Sequence, residues 1–267
     1  MIMKQVAKSL RKWLRPLSPR PRIHQLHQLM CRRPIRYDLP YSIASVTFDD
    51  FPRSALLNGG RLLRQFGACG TYYTSLGLMG TDIVSQGPCF TREDLDALVA
   101  DGHELGCHTY AHVGARQEGL AIFEAEIRKN REEMAKILPG YVLENFAYPG
   151  GEVTLRLKRR MRDHAVSSRG CYAGINRGWI DLDLLLCQHL RMDRPLAEIR
   201  KVVDSCISQP GWLIFYVHDV SDKPSVGGCT PEYMEAALEI ITQSCRILTV
   251  AGALKFIRAG HGEVAAD

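Results

Sequence analysis

Short apolar runs alternate with segments of helical periodicity from residue 42 onward. Short runs rich in apolar and β-branched residues are typical of buried strands, and apolar positions at helical spacing are typical of amphipathic helices. The pattern predicts eight strands, at 43–48, 70–74, 103–107, 144–147, 165–168, 185–190, 212–217 and 246–250. It predicts seven helices between them, at 54–66, 91–101, 117–138, 153–163, 195–208, 231–244 and 251–258. This alternation indicates an α/β protein built on a parallel (β/α)7–8 barrel rather than an open sheet.

Two capping signals support this division of the chain. Thr91 is followed three residues later by Asp94, which is the pattern of a capping box at the helix 91–101. Thr230 precedes Pro231 at the start of the helix 231–244. Proline suits the first turn of a helix because its missing N–H would have no partner there.

The first 40 residues stand apart from this pattern. Apolar residues form one stripe over residues 2–17, and a proline-punctuated segment follows up to Pro40. Residues 1–37 carry ten Lys and Arg and no acid, whereas the rest of the chain holds 24 basic against 29 acidic residues. We therefore predict a basic leader at 1–40 and a barrel domain at 41–267. The helix within residues 1–17 either makes peripheral contact with an anionic membrane or packs on the barrel.

The composition argues against several classes of protein. No apolar run is long enough to span a membrane, and cations interrupt any signal-peptide core at the N-terminus. The acidic body and the lack of a recognition motif argue against nucleic-acid binding. The nine cysteines include no CxxC pair, which is typical of reduced thiols. We expect a cytoplasmic protein that can associate with a membrane surface.

Candidate chemistry is concentrated where predicted strands end. Asp49 and Asp50 follow the first strand, and two neighbouring carboxylates can divide the labour between a cation ligand and a base. His108 and His112 follow the third strand, at a spacing that presents both imidazoles to one metal ion from a single helical turn. Two histidines and one carboxylate leave coordination positions open, as in catalytic metal sites.

Two later strand ends add further groups. The run Asn-Phe-Ala-Tyr-Pro-Gly-Gly at 145–151 places glycines where backbone N–H groups can approach a ligand closely. The apolar strand 212–217 leads directly into His218. By default a histidine on such a strand is a core residue, but at the rim of a barrel, opposite a metal site, it is a candidate general acid.

These four runs resemble the motifs of the polysaccharide deacetylase family, the carbohydrate esterases of family 4 with a NodB-like domain. Thr-Phe-Asp-Asp at 47–50 and His-Thr-Tyr-Ala-His at 108–112 match the first two motifs in full. The third motif, at 146–150, resembles the branch that reads FAYP-x-G and lacks the family's arginine. The resemblance covers residues 42 to about 258 and implies a distorted barrel of the polysaccharide deacetylase type.

The resemblance also implies the roles of the site residues. The metal ligands would be Asp50, His108 and His112. Asp49 would be the general base and His218 the general acid. The backbone N–H of Gly150 would donate a hydrogen bond to the oxyanion. Arg191 is the candidate to replace the missing arginine, which fixes the base carboxylate in the family. Asp193 is the candidate for the acidic residue that tunes His218. Both residues can equally be surface charges. We expect one divalent ion, Zn²⁺ first, with Co²⁺, Ni²⁺, Mn²⁺ or Fe²⁺ as alternatives.

The function that this pattern favours is hydrolysis of a non-peptide C–N bond. The enzyme would remove an N-acetyl or short N-acyl group from an amino sugar of a poly- or oligosaccharide or of a glycolipid precursor. One alternative is a metal-dependent hydrolase of another linear or cyclic amide on the same barrel. A second is an inactive homologue that only binds sugar, although the intact Asp-Asp and His-x-x-x-His pairs argue against it.

Overall fold

The computed structural model of the chain describes Met30 and residues 32–260. The helix predicted within residues 1–17 lies outside this part. The strands are β1 (Pro34–Tyr37), β2 (Ser42–Asp49), β3 (Thr71–Thr74), β4 (Asp82–Ile83), β5 (Gly87–Pro88), β6 (Glu104–Cys107), β7 (Asn145–Ala147), β8 (Ser167–Ala173), β9 (Gly178–Asp181), β10 (Leu185–His189), β11 (Trp212–Val217) and β12 (Cys245–Ile247). The α-helices are α1 (Arg61–Gln65), α2 (Arg92–Ala100), α3 (Ala115–Glu118), α4 (Leu120–Ile137), α5 (Leu155–Met161), α6 (Leu196–Ser208), α7 (Pro231–Thr242) and α8 (Val250–Ala259).

Seven parallel strands close into a barrel in the order β2, β3, β6, β7, β8, β10 and β11. The barrel closes where β11 pairs with β2, from Trp212 opposite Ile43 to Val217 opposite Phe48. The short strand β12 pairs with the first half of β2, and β3 pairs with its second half. The prediction of a parallel α/β barrel is therefore confirmed, and its irregular side is where β12 and β3 share one neighbour.

All eight residues of β2 are buried, as expected for a strand covered on both faces in a parallel barrel. Gly106 in β6 permits a close contact inside this barrel. A Cβ at that position would lie 2.5 Å from the ring of Tyr73 in β3. The glycine thus leaves room for a large aromatic ring beneath the rim.

Both predicted capping signals are present. The Thr91 side chain accepts from the Asp94 N–H, and the Asp94 carboxylate accepts from the Thr91 N–H. Pro231 begins α7, and the Thr230 side chain caps it by accepting from the Tyr233 N–H at 3.2 Å. The predicted helix 117–138 is divided into α3 and α4 at Gly119, whose φ of +84° is a left-handed conformation that favours glycine.

The structure places the end of the predicted leader on the barrel. Strand β1 pairs antiparallel with β9, and neither strand was predicted from the sequence. Arg33 forms an ion pair with the fully buried Asp183 at 2.9 Å, and its guanidinium donates to the carbonyl of Val166 at 2.8 Å. The fully buried Lys158 pairs with Asp181 and donates to the carbonyl of Met30 at 2.8 Å. Residues from Met30 onward thus contribute contacts to buried charged groups of the barrel.

Within the described residues, no helix combines the length and the apolar composition that a membrane crossing requires.

Candidate active site

A sharp turn at the end of β2 separates the two neighbouring carboxylates. Asp50 and Phe51 both have left-handed backbone conformations, with φ of +63° and +56°. The turn is held by Phe90, whose ring stacks on that of Phe51 at 4.7 Å and whose N–H donates to the Phe51 carbonyl at 3.2 Å. As a result Asp49 points toward β8, whereas Asp50 faces the histidines.

The segment from His108 to His112 is a loop and not the helical turn that the spacing predicts. Thr109 and His112 have φ of +62° and +52°, and the Thr109 hydroxyl accepts from the Val113 N–H at 3.0 Å. Among the described residues, positive φ values outside glycine occur only in this loop and in the turn after β2. Each such conformation costs about 1–3 kcal/mol and persists only where the surroundings enforce it. The backbone strain is thus concentrated at the two candidate ligand segments.

Three possible ligand groups converge at the rim of the barrel. One atom each of Asp50, His108 and His112 lies within 4.8 Å of the other two. Oδ1 of Asp50 is 3.1 Å from Nε2 of His112 and 3.6 Å from Nε2 of His108. This oxygen is buried and accepts no hydrogen bond from a described residue. A buried carboxylate oxygen without a donor, facing two ring nitrogens, is the arrangement that a cation would complete.

The protonation states suit such a cation. Burial lowers the pKa of His108 to about 4, so its imidazole is neutral at physiological pH. Its Nδ1 lies 2.8 Å from the Ala147 carbonyl and must carry the proton, which leaves the lone pair on Nε2. For Asp50, burial raises the pKa, but the three facing imidazoles of His112, His218 and His108 lower it more, to about 2.

Asp50 has a further partner that the sequence did not indicate. Gln86 lies at the end of the tight turn between β4 and β5, and its Nε2 donates to Oδ2 of Asp50 at 3.0 Å. The amide fixes one carboxylate oxygen and leaves the other to face the histidines. Such outer contacts orient metal ligands.

Asp49 is bound by an arginine from a different strand. Arg169 in β8 is fully buried, forms a charge-assisted hydrogen bond with Oδ1 of Asp49, and lies between the rings of Tyr73 and Tyr216, with centroids at 5.1 Å and 4.9 Å. Burial raises the pKa of Asp49, but the charges of Arg169, His108 and His218 lower it by more. The net effect is a pKa below the usual value of an aspartate. The carboxylate is therefore ionised at neutral pH.

Arg191 and Asp193, the sequence candidates for supporting roles, do not occupy the predicted positions. They pair with each other at 2.5 Å on the partly exposed wall of a cavity. Arg169, not Arg191, contacts Asp49. The acceptor for Nδ1 of His218 is the carbonyl of Gly227 at 3.1 Å, not the carboxylate of Asp193.

The structure also brings His189 to the site, which the sequence analysis missed. It is the last residue of β10, and its ring stacks on that of Tyr216 at 4.2 Å. Its Nε2 lies 3.2 Å from the same Gly227 carbonyl that faces His218. The signal that could have found it is its place at the end of a predicted barrel strand, where the chemistry of such folds is located.

The remaining predicted residues lie at the same rim. Nε2 of His218, which directly follows β11, is 4.0 Å from Oδ2 of Asp50. Gly150 lies in the turn after β7 with φ of +64°. A cavity of about 500 Å³ adjoins the site, and its wall includes His189, Tyr216 and Arg191.

A closed barrel of parallel strands is also the fold of solved family 4 carbohydrate esterases. Residues 37–168 match the polysaccharide deacetylase family. These residues therefore form a polysaccharide deacetylase domain, as the sequence motifs predicted. No curated protein sequence matches the chain.

Several solved structures share the fold at low sequence identity. The chitin deacetylase of the fungal pathogen Colletotrichum lindemuthianum is 16% identical, with a TM-score of 0.57 over 81% of this chain and 89% of that one. A Clostridium thermocellum acetyl xylan esterase in complex with a cobalt ion is 17% identical, with a TM-score of 0.53 over 83% and 92%. The Bacillus subtilis peptidoglycan deacetylase PdaC is 19% identical, with a TM-score of 0.52 over 84% and 95%.

Proposed function

We propose that the protein is a divalent-metal-dependent hydrolase that removes an N-acetyl or short N-acyl group from an amino sugar of a glycan or glycolipid precursor. The observation that carries this proposal is the convergence of Asp50, His108 and His112 around an unpartnered carboxylate oxygen, beside a second carboxylate that Arg169 keeps ionised. Fungal chitin deacetylase and bacterial peptidoglycan deacetylase have the same fold, which supports an acylated carbohydrate as substrate.

The metal would be held by Asp50, His108 and His112, and two imidazoles with one carboxylate suit Zn²⁺ or a similar transition metal. A divalent ion at such a site supplies a nucleophile at neutral pH and polarises the acyl carbonyl. A cobalt ion in the related acetyl xylan esterase structure is consistent with this class of cation.

Asp49 would act as the general base. Its Arg169 contact fixes the carboxylate at the rim and keeps it ionised, so that it can accept a proton from the attacking water. The backbone N–H of Gly150 would donate to the oxygen that becomes negative when the carbonyl is attacked.

His218 would act as the general acid. The Gly227 carbonyl binds the Nδ1 proton and turns Nε2 toward Asp50, so the proton for the departing amine would be carried on Nε2. An amine is a poor leaving group unless it is protonated as the C–N bond breaks.

The first test separates the two carboxylates. We expect about one divalent ion per chain in the purified protein, and loss of that ion in His112→Ala and in Asp50→Asn. Asp49→Asn should retain the ion and lose most activity, because the base is removed while the ligands remain. Elemental analysis after dialysis measures the metal. Equal metal loss in Asp49→Asn and Asp50→Asn would show that the assigned roles are wrong.

The second test concerns His218. His218→Ala should lower turnover of an N-acetyl sugar by a factor on the order of 10²–10⁴ with unchanged metal content. Hydrolysis of an aryl acetate should fall much less, because its leaving group departs without a proton. An equal loss on the amide and the ester would contradict acid catalysis and leave His218 a role in positioning or folding.

A further inference from the structure

The carbonyl of Gly227 faces two imidazoles at the rim of the barrel. Nδ1 of His218 is 3.1 Å away and Nε2 of His189 is 3.2 Å away. A carbonyl oxygen only accepts, so a neutral ring that bonds to it must carry its proton on the facing nitrogen. The shared carbonyl therefore fixes a proton on Nδ1 of His218 and on Nε2 of His189.

The loop from Asp219 to Cys229 holds this carbonyl in place. The buried Asp219 carboxylate accepts from the Ser225 N–H at 2.9 Å, and the Ser225 hydroxyl accepts from the Gly227 N–H at 3.2 Å. The Cys229 N–H donates to the Asp219 carbonyl at 3.0 Å. A Cβ on Gly227 would lie 2.4 Å from Nδ1 of His218, so the close approach requires glycine.

His189 presents its other nitrogen to the cavity. Its ring is fixed by the stack on Tyr216, with an interplanar angle of 13°, and forms part of the cavity wall. Burial lowers the pKa of His189 to about 4, so the ring is neutral at physiological pH. Nδ1 therefore has a lone pair, it has no hydrogen-bond partner among the described residues, and it is not sealed from solvent. This atom can only accept a hydrogen bond.

The charges of the cavity wall are already balanced. Arg191 pairs with Asp193 at 2.5 Å, and Arg194 lies 3.4 Å from Glu198. A wall with paired charges and one fixed acceptor suits a neutral ligand that offers hydroxyl donors, rather than an anion. The volume of about 500 Å³ is within the range of small-molecule sites, roughly 300–1,000 Å³.

We propose that His189 is a substrate-binding residue, whose Nδ1 accepts a hydrogen bond from a hydroxyl group of the neutral amino sugar that bears the acyl group. The inference rests on the proposed function, because it names a sugar contact of the same site. It adds a specificity determinant that belongs to none of the four sequence motifs and acts on the sugar rather than on the reacting bond.

The test is a binding measurement with tetra-N-acetylchitotetraose as the probe. His189→Phe, made in the full chain, keeps an aromatic ring against Tyr216 and removes the acceptor. The parent is the Asp49→Asn variant, so that the probe is not consumed. We expect the Kd measured by calorimetry to rise about 3- to 10-fold, which corresponds to one hydrogen bond. His164→Phe, in a histidine that contacts Glu124 away from the site, is the matched control and should leave the Kd unchanged.

A second measurement separates binding from a structural effect. With Asp49 intact, His189→Phe should affect the hydrolysis of 4-nitrophenyl acetate much less than that of the tetrasaccharide, because this ester has no sugar hydroxyl. An unchanged Kd overturns the inference. So does a parallel loss of ester hydrolysis, which would mean that His189 supports the fold or the metal centre rather than the sugar. Failure of the parent to bind the probe also contradicts it. Binding without metal-dependent hydrolysis by the native chain would instead count against the proposed function alone.

Discussion

Replacing Arg169 by Met is expected to lower the free energy of unfolding by about 3–5 kcal/mol and to abolish measurable deacylation. The guanidinium is fully buried against Asp49, which is itself 4% exposed. Removing one partner of a buried ion pair leaves the other charge in the interior without compensation, and this is the source of the large effect. Urea unfolding followed by tryptophan fluorescence measures the stability.

Two further variants make this prediction specific. The double variant Arg169→Met, Asp49→Asn should recover much of the lost stability, because no charge is left unpaired, but it should remain inactive without the base. Arg191→Met removes a partly exposed ion pair and should change stability by less than about 1 kcal/mol. If Arg191→Met were as damaging as Arg169→Met, or if the double variant were no more stable than the single one, the buried pair would not have the role assigned to it.

Arg169 shows where sequence reasoning about the site stopped. The motif positions were candidates because each lies at or shortly after the end of a predicted strand, and the structure brings all of them to one rim: Asp49, Asp50, His108, His112 and His218. Arg169 lies inside β8, one residue beyond the end of the predicted strand 165–168. A lone arginine within Ser-Ser-Arg-Gly-Cys was the available signal, but its partner is 120 residues away and no local pattern identifies it.

Local geometry was predictable only where local interactions decide it. The capping box at Thr91 is confirmed because both of its hydrogen bonds join residues three apart. The helical turn predicted at His108–His112 is wrong, because the backbone there adopts left-handed conformations at Thr109 and His112. The strain of such conformations has to be offset by contacts elsewhere in the fold, which residue spacing does not reveal.

The leader illustrates the same limit at the level of domains. Proline residues and a run of cations predicted a linker up to Pro40, and β1 is too short and too exposed to show a strand pattern. The ten cations assigned to the leader include Arg33, which is partly buried and forms an ion pair with Asp183. Seven of the ten leader cations lie in residues 1–29, for which the prediction of binding to an anionic membrane remains as stated.

Shortening the chain to begin at Pro40 is therefore expected to destroy the fold, whereas a chain that begins at Met30 should keep it. The shorter chain lacks β1, the side chain of Tyr37 in the core and both contacts of Arg33 described above. The fully buried Asp183 then keeps only Arg162 as an ion-pair partner among the described residues. The loss of one of the two ion pairs of this buried carboxylate adds to the loss of β1 and of the Tyr37 contacts, against a total stability of only about 5–15 kcal/mol for an ordinary domain.

The two shortened chains also separate folding from membrane binding. The chain from Met30 should unfold at the same urea concentration as the full chain, yet lose co-sedimentation with anionic vesicles, because the apolar stripe and seven cations are removed. The chain from Pro40 should be insoluble or unfold at markedly lower urea. Equal urea midpoints for the chains from Met30 and Pro40 would show that the ion pairs around Arg33 and Lys158 contribute little. Equal vesicle binding by the full chain and the chain from Met30 would show that residues 1–29 do not direct the enzyme to a membrane surface.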